Sequence, residues 1–354
     1  MRSPFRSLPP ALLLAALASG CGDRFEEPRS TLVAQGGSAD SVYGASAAEN
    51  LRVVPVEVEV PGLPAGWDGM RIAVLSDFQL GLWEDNANVA EAATRRAVSL
   101  RPDLVVLLGD YVARPGGLEA LPRVLAPLRG HTVLAVLGDR DQRDPGESQG
   151  QGQPDSAAIR IRQVLQENGV VVLSNERGRV VRNGDTAYVA GIDPYVPRRP
   201  TWRQAEIFGA IPRSGATPVL LSHSPAGVLA APDSAYPLVL AGNTFCGRVE
   251  VPGTPRLSWV NAEQLPGSRL PGAERLYRAN GNGLFITCGT GYGFVPVRLG
   301  APPEVALVTL RRPAEPGRGE AAPDSSSAAL DSLLRVYEQP ADTARTIPRD
   351  SMGG

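Results

Sequence analysis

The chain has 354 residues, 43% of them apolar, enough for one large domain or two ordinary ones around a sizeable core. Its formal charge of -2 and pI near 5.9 argue against a nucleic-acid partner, because no basic stripe is available to neutralise phosphates. All 35 basic residues are arginine and none is lysine; with Ala, Gly and Pro abundant, this reads as compositional bias and carries no function by itself.

At the N-terminus, Arg2 and Arg6 precede the apolar run LPPALLLAALA. This run is shorter than the roughly 20 residues a bilayer crossing requires but suits the hydrophobic region of an export signal. It closes on Ala18-Ser19-Gly20-Cys21 followed by Gly22, which resembles a bacterial lipoprotein signal box. That resemblance implies cleavage before Cys21, lipidation of its thiol, and a membrane anchor on the periplasmic or extracellular side of the cell envelope. An ordinary signal peptide with an incidental cysteine is the alternative. Residues 1–21 are thus expected as signal peptide and 22–50, rich in Gly, Ser and Ala, as a flexible tether. Residues 51–312 form the folded part. Residues 313–354 are expected as a disordered tail in which only 328–338 is helix-like.

Within 51–312, strand-like and helix-like stretches alternate. RIAVLSD (71–77) reads as a buried strand, and 86–100 as a helix stopped before Arg101-Pro102. PDLVVLLGD (102–110) is a second strand, 117–128 a helix interrupted by Pro122, and TVLAVLGD (132–139) a third strand. A helix over 155–168 ends at Gly169. VVVLSNE follows as a strand, and a hairpin then turns at Asn183-Gly184. Later strands are TPVLLSHSP (217–225), YPLVLAGN (236–243), LFITCG (284–289) and EVALVTLRR (304–312). The pattern predicts a layered α/β domain with helices covering sheet faces.

The functional signal lies at the strand ends. The first strand ends on Asp77, the second on Asp110, the third on Asp139 with Asp141 two residues on, and PVLLSH on His223. Ligands of open α/β sheets gather beyond the carboxyl ends of strands. Carboxylates brought together there repel one another unless a cation neutralises them. One aspartate after one strand is an ordinary turn or cap residue. Repetition of the pattern, with a histidine at a further strand end, favours a metal site.

In this order, Ser76-Asp77-x-Gln79, Gly109-Asp110, Gly138-Asp139-Arg140-Asp141, His223 and Gly242-Asn243-Thr244-Phe245 resemble the motifs of the calcineurin-like metallophosphoesterases, in particular a bacterial exported or membrane-associated branch. The resemblance covers about residues 51–312 and implies a sandwich of two mixed β-sheets flanked by helices. The family pattern is Asp-x-His, Gly-Asp, Gly-Asn-His-Asp/Glu, a lone His and Gly-His-x-His. Gln79, Arg140, Asn243 and Phe245 stand here where that pattern has histidine, and Asp139 stands where it has asparagine. The chain's only other histidine, His131, lies between a helix and a strand and reads as structural or exposed.

Sorted by the two metal positions that the resemblance implies, one loses both nitrogen donors, at Gln79 and Phe245. The other retains Asp110, Asp139, His223 and Asn243 as side chains able to ligate; Asp77 is the remaining metal-site carboxylate. One divalent ion rather than two is expected, Mn²⁺, Mg²⁺, Fe²⁺ or Ca²⁺ in keeping with mostly oxygen donors, with no ion as the alternative. Arg140 and Asp141 are the expected catalytic residues. Arg140, always charged, would steady phosphate or form an ion pair with Asp77 or Asp141. The implied activity is hydrolysis of a phosphomonoester or phosphodiester, on a small molecule or a lipid headgroup. A catalytically silent envelope lipoprotein that binds a ligand or partner is the second reading. In an oxidising compartment Cys246 and Cys288 permit a single disulfide; two small buried thiols are the alternative.

Overall fold

The computed structural model describes residues 42–43, 47–142, 156–194, 208–247, 276–279, 281–294, 296–299 and 301–314. The expected signal peptide, most of the tether, residues 143–155, 195–207 and 248–275, and nearly all of the C-terminal tail lie outside them. In chain order the elements are β1 (Val42–Tyr43), β2 (Arg52–Glu59), β3 (Arg71–Leu75), α1 (Glu84–Ser99), β4 (Leu104–Leu107), α2 (Leu121–Leu125) and β5 (Val133–Ala135). There follow α3 (Ser156–Glu167), β6 (Val171–Val172), β7 (Glu176–Arg182), β8 (Asp185–Gly191), β9 (Val219–Ser222), α4 (Gly227–Ala230) and β10 (Leu238–Ala241). The last are β11 (Leu276–Ala279), β12 (Asn282–Ile286), β13 (Arg298–Leu299) and β14 (Glu304–Arg311).

Two six-stranded mixed sheets, ordered β2-β14-β3-β4-β5-β6 and β11-β12-β10-β9-β8-β7, pack face to face, the architecture the motif resemblance implies. The period of two in the strands explains the layering. Ile72, Val74, Leu104, Val106 and Leu134 point into the seam and meet Val219, Leu221, Leu238 and Leu240 from the other sheet. Their alternates Ala73, Leu75, Val105, Leu107 and Val133 face α1, α2 and α3, while Leu220, Val239 and Ala241 form the opposite outer layer with Phe208, Ile211 and Tyr236. Because β3, β4, β5, β9 and β10 are buried on both faces, they are unbroken apolar runs rather than alternating ones.

Local signals set the element limits. The buried face of α1 is Asn86, Val89, Ala90, Ala93, Thr94 and Ala97, at helical spacing, and the chain leaves it through Arg101 in a left-handed conformation ahead of Pro102. The single interrupted helix expected over 117–128 is a short α2 between two 3-10 turns. Pro122 lies in the first turn of α2, where its missing N–H costs nothing, so it starts the helix instead of breaking one. The β7–β8 hairpin turns at Asn183 and Gly184, both with positive φ, as a two-residue loop requires. Part of the expected tether is built into the domain: β1 pairs antiparallel with β13, and Ala47–Asn50 forms a 3-10 turn. Among the described residues no helix is long and apolar enough to cross a membrane.

β3, β4 and β5 run parallel as neighbours in one sheet, and β9 and β10 run parallel as neighbours in the other. Asp77, Asp110 and Asp139 therefore leave one sheet, and His223 and Asn243 the other, at the same end of the seam.

Candidate metal centre

The backbone at this end of the seam is unusual in a consistent way. Asp77, Gln79, Asp110 and Asn243 all have φ between 54° and 66°, a region that costs most L-residues but that Asn and Asp tolerate. Each strand thus makes a sharp turn that aims the following side chain back into the seam. The turns can approach because their neighbours are glycines: a Cβ at Gly109 would strike the backbone of Gly138, and one at Gly138 would strike Asp110.

The side chains then converge. Ligand atoms of Asp77, Asp110 and His223, all buried, lie within 4.8 Å of one another. His223 Nδ1 lies 2.6 Å from the Leu108 carbonyl oxygen. Donation from that nitrogen leaves the Nε2 lone pair turned inward, the tautomer of a metal-binding imidazole. Nε2 stands 3.2 Å from Asp139 Oδ1 and 3.4 Å from Asp110 Oδ1, contacts that become ion pairs when the ring is protonated. Asp77 Oδ2 accepts from Ser76 Oγ at 2.6 Å and from the Asn243 backbone N–H at 3.0 Å. Asn243 thus reaches the site through its backbone.

Five buried side-chain atoms of the described residues lack a hydrogen-bond partner, and three of them, Asp77 Oδ1, Gln79 Oε1 and His223 Nε2, belong to this site. The two oxygens carry lone pairs, and so does His223 Nε2 whenever the ring is neutral. Unpaired buried acceptors are costly, and a cation satisfies several at once, so these residues fit a divalent metal. Gln79, read from sequence as a lost ligand, keeps an amide oxygen available: its Nε2 donates to Asp110 Oδ2 at 2.8 Å, which fixes the amide beside the cluster. The signal was present in the residue type, since glutamine retains an oxygen donor where histidine had nitrogen.

The electrostatics follow from burial. Asp110 is pushed from 3.8 to about 6 by desolvation, offset by His223 and Arg140 and reinforced by Asp139 and Asp77. Desolvation alone would lower His223, but Asp110, Asp139 and Asp77 outweigh it and hold the imidazole well above its ordinary value. Without a bound cation the site takes up protons.

Arg140 and Asp141 depart from expectation. The arginine pairs with Asp110, Nε to Oδ2 at 3.3 Å, rather than with Asp77 or Asp141. Its backbone N–H also donates to Asp110 Oδ1 at 3.0 Å, and its guanidinium lies 5.1 Å from the ring centre of Phe294. Asp141 is fully buried. Its Oδ2 accepts from the N–H groups of Asp110 and Gly138, and its Oδ1 from those of Tyr111 and Val112. Burial and the nearby Asp110 raise it to about 7, against the pull of those N–H donors. With both oxygens committed to backbone, Asp141 is a positioning residue. His131 is exposed ahead of β5, away from the site.

The loop after β10 closes the site differently. Phe245 is buried with its ring 5.4 Å from the guanidinium of Arg298, itself buried and donating to the carbonyls of Gly291, Cys288 and Ala301. Cys246 is disulfide-bonded to Cys288, which ties this loop to the end of β12.

Comparison with known proteins accords with this geometry. Residues 70–243 match the family model described as calcineurin-like phosphoesterase. A transmembrane protein with metallophosphoesterase domain from Danio rerio is 28% identical over 294 residues, 77% of this chain but 60% of the relative, so the chain spans less than two thirds of that protein. Two proteins of Bacillus subtilis (strain 168) are also similar: the uncharacterized metallophosphoesterase YkoQ, 26% identical over 252 residues, and the uncharacterized metallophosphoesterase YkuE, 23% identical over 258. Each alignment covers 70% of this chain, with 85% of YkoQ and 82% of YkuE. The family implies a divalent metal, and the Asp77, Asp110 and His223 group is able to hold one. Over residues 70–243, the stretch that carries Asp77, Asp110, Asp139 and His223, the chain is similar to the calcineurin-like phosphoesterase family.

Proposed function

We propose that the chain hydrolyses a phosphomonoester or phosphodiester using a single divalent ion held by Asp77, Asp110, Asp139 and His223, with Asn243 at its margin. The observation that carries this reading is the convergence of unpaired lone pairs on Asp77, Gln79 and His223 beside Asp110. Oxygen-rich donors with one imidazole suit Mn²⁺, Mg²⁺, Fe²⁺ or Ca²⁺. When bound, such an ion polarises phosphate and lowers the pKa of a water. The chain's own residues do the rest. Leu108 orients His223, Asp141 holds the turns that carry Asp110 and Arg140, and the part-exposed Arg140 binds a phosphate oxygen through its planar donors. Phe245, which stands where the family pattern has a second-site histidine, has a ring that cannot ligate and packs toward Arg298.

A second reading, a catalytically silent binding protein, is favoured by one feature. Gln79 Nε2 and the Arg140 backbone and guanidinium already cover both oxygens of Asp110. In either case we place the protein in the cell envelope, lipid-anchored through Cys21, where a soluble phosphoester or a lipid headgroup is within reach.

Elemental analysis of the purified chain, paired with phosphomonoester and phosphodiester assays in Mn²⁺, separates the readings, with Asp110→Asn and His223→Ala as controls. Stoichiometric metal with turnover lost in both controls supports the hydrolase. Metal without turnover above the controls supports the silent reading, and absence of both sinks the proposed site. Acyl incorporation lost in Cys21→Ser checks the anchor.

A further inference from the structure

At the opposite end of β9 and β10 from the metal centre, a cavity of about 250 Å³ is lined by described residues. Thr217 and Tyr236 stand just before these two strands, whereas His223 and Asn243 follow them. An extended chain rises about 3.3 Å per residue, which separates Thr217 from His223 by roughly 20 Å. The cavity walls are two fastened turns. On one side, both terminal nitrogens of Arg177 donate to Ser214, one to its carbonyl and one to its hydroxyl, and the Tyr188 N–H donates to the Ala216 carbonyl. Gly215, at φ of 81°, lies so near that a Cβ there would press on the Tyr188 ring. On the other side, buried Asn282 donates to the Pro232 carbonyl at 3.1 Å and accepts from the Tyr236 N–H at 2.8 Å. The floor is aromatic, with the buried rings of Phe208 and Tyr236 centred 5.9 Å apart. Walls held in place before a ligand arrives lower the cost of binding it.

Two donors open onto this floor. Tyr236 is only 7% exposed, yet its hydroxyl has no hydrogen-bond partner among the described residues and keeps access to water. Burial raises that hydroxyl above its ordinary value against the pull of Arg213 and Arg177, so it stays protonated and donates. Arg213 lines the cavity, is exposed, and forms no ion pair among the described residues. A neutral O–H beside a permanently charged guanidinium suits an acceptor that carries negative charge. The exposed Asp233 carboxylate, also in the lining, opposes a second negative charge and so favours a carboxylate over a phosphate dianion. The volume is just below the roughly 300–1,000 Å³ of drug-sized ligand sites, which leaves room for a single ring.

We infer that this cavity is a second binding site, one that takes a small aromatic monocarboxylate, with its ring against Phe208 and Tyr236 and its carboxylate between Arg213 and the Tyr236 hydroxyl. The inference stands apart from the hydrolase reading, because none of these residues belongs to the metal centre.

The test is titration of para-fluorobenzoate into the full chain, followed by fluorine NMR, with chelator present so that no metal at the other end of the strands captures the anion. A ligand of this size should bind with a dissociation constant on the order of a millimolar. The amide para-fluorobenzamide, alike in shape and uncharged, should bind at least about tenfold more weakly, the scale of one charge-assisted hydrogen bond. That comparison uses the wild-type chain and so does not depend on a variant folding. Arg213→Gln should weaken the carboxylate by about tenfold, and Tyr236→Phe, which keeps the ring, by about threefold or more. No saturable binding at tens of millimolar, equal binding of carboxylate and amide, or full affinity in either variant overturns the inference. Affinity lost in Arg140→Gln instead would place the anion at the metal centre and overturn it as well.

Discussion

Asp141 joins two strand-end turns, those after β4 and β5, through its two oxygens, so its loss should be felt in stability before it is felt in chemistry. Asp141→Ala leaves buried N–H groups at Asp110, Tyr111, Val112 and Gly138 without acceptors and should cost at least about 3 kcal/mol. Urea denaturation measures it; a loss under about 1 kcal/mol would mean water replaces the carboxylate and the positioning role is wrong. The titrating groups give a pH signature of the metal-free protein. Folding raises Asp110 from 3.8 to about 6 and Asp141 to about 7, so the stability they lend is complete below 3.8 and lost as pH rises through those values. His223, also raised, acts in the same sense: its contribution is full below 6.5 and disappears as pH climbs through its folded value. A bound divalent ion has the opposite dependence, because its ligands must be deprotonated. Denaturation midpoints in chelator should therefore fall with rising pH, and added Mn²⁺ should remove the fall; midpoints that rise in chelator contradict the site's charge balance. At this scale the sequence disclosed which residues matter and misassigned some of their partners. Spacing identifies Asp77, Asp110 and His223, but that Arg140 pairs with Asp110, and that Gln79 presents an oxygen, depends on turns whose direction no local pattern encodes.

Among the elements, the loop from β10 is the one held covalently. Cys246 and Cys288 are 42 residues apart, and closing a loop of that length removes roughly 2–4 kcal/mol of unfolded-state freedom. The Cys246→Ser and Cys288→Ser double variant should lose stability of that order. It should also loosen the Asn243 N–H bond to Asp77, read as weaker Mn²⁺ binding in calorimetry; unchanged affinity would show that the loop holds its shape without the bond. Gly138→Ala tests the neighbouring turn, since its methyl would collide with Asp110; metal binding should fall at least about tenfold, or about 1.4 kcal/mol, and tight binding would mean that the turns can separate. Buried strands were legible because both their faces are covered. β2 and β11 were not. Both are edge strands, and Pro55 interrupts the pattern of β2, a residue that an edge tolerates where a central strand would not.

Across the whole molecule, the core seam and the site share one construction, two sheets closed on each other and fastened where their strands end. Leu221 lies in that seam two residues before His223. Leu221→Ala should cost about 2–5 kcal/mol and, if the sheets close as a unit, should also weaken metal binding. Thermal unfolding with and without Mn²⁺ measures both, and a destabilised variant with full metal affinity would separate the core from the site. The layered class and the end of the seam where the site lies could be read from strand runs and their terminal residues. How the strands divide into two sheets could not, because β14 returns from the end of the folded chain to lie between β2 and β3, a pairing across more than two hundred residues.

The left-handed turns also bear on the chain's history. Asn243 has φ of 66°, in a region where asparagine, aspartate and histidine are enriched over other residues with side chains. The backbone there suits the residue present and the histidine of the family pattern alike, so an exchange between them in either direction demands no remodelling of the fold. Phe245, at 52°, is a bulky residue in the same region and sits beside a covalently pinned neighbour. Of the two departures in this loop, the one at 243 is an easily retraced evolutionary step, and the one at 245 is embedded in the packing around Arg298.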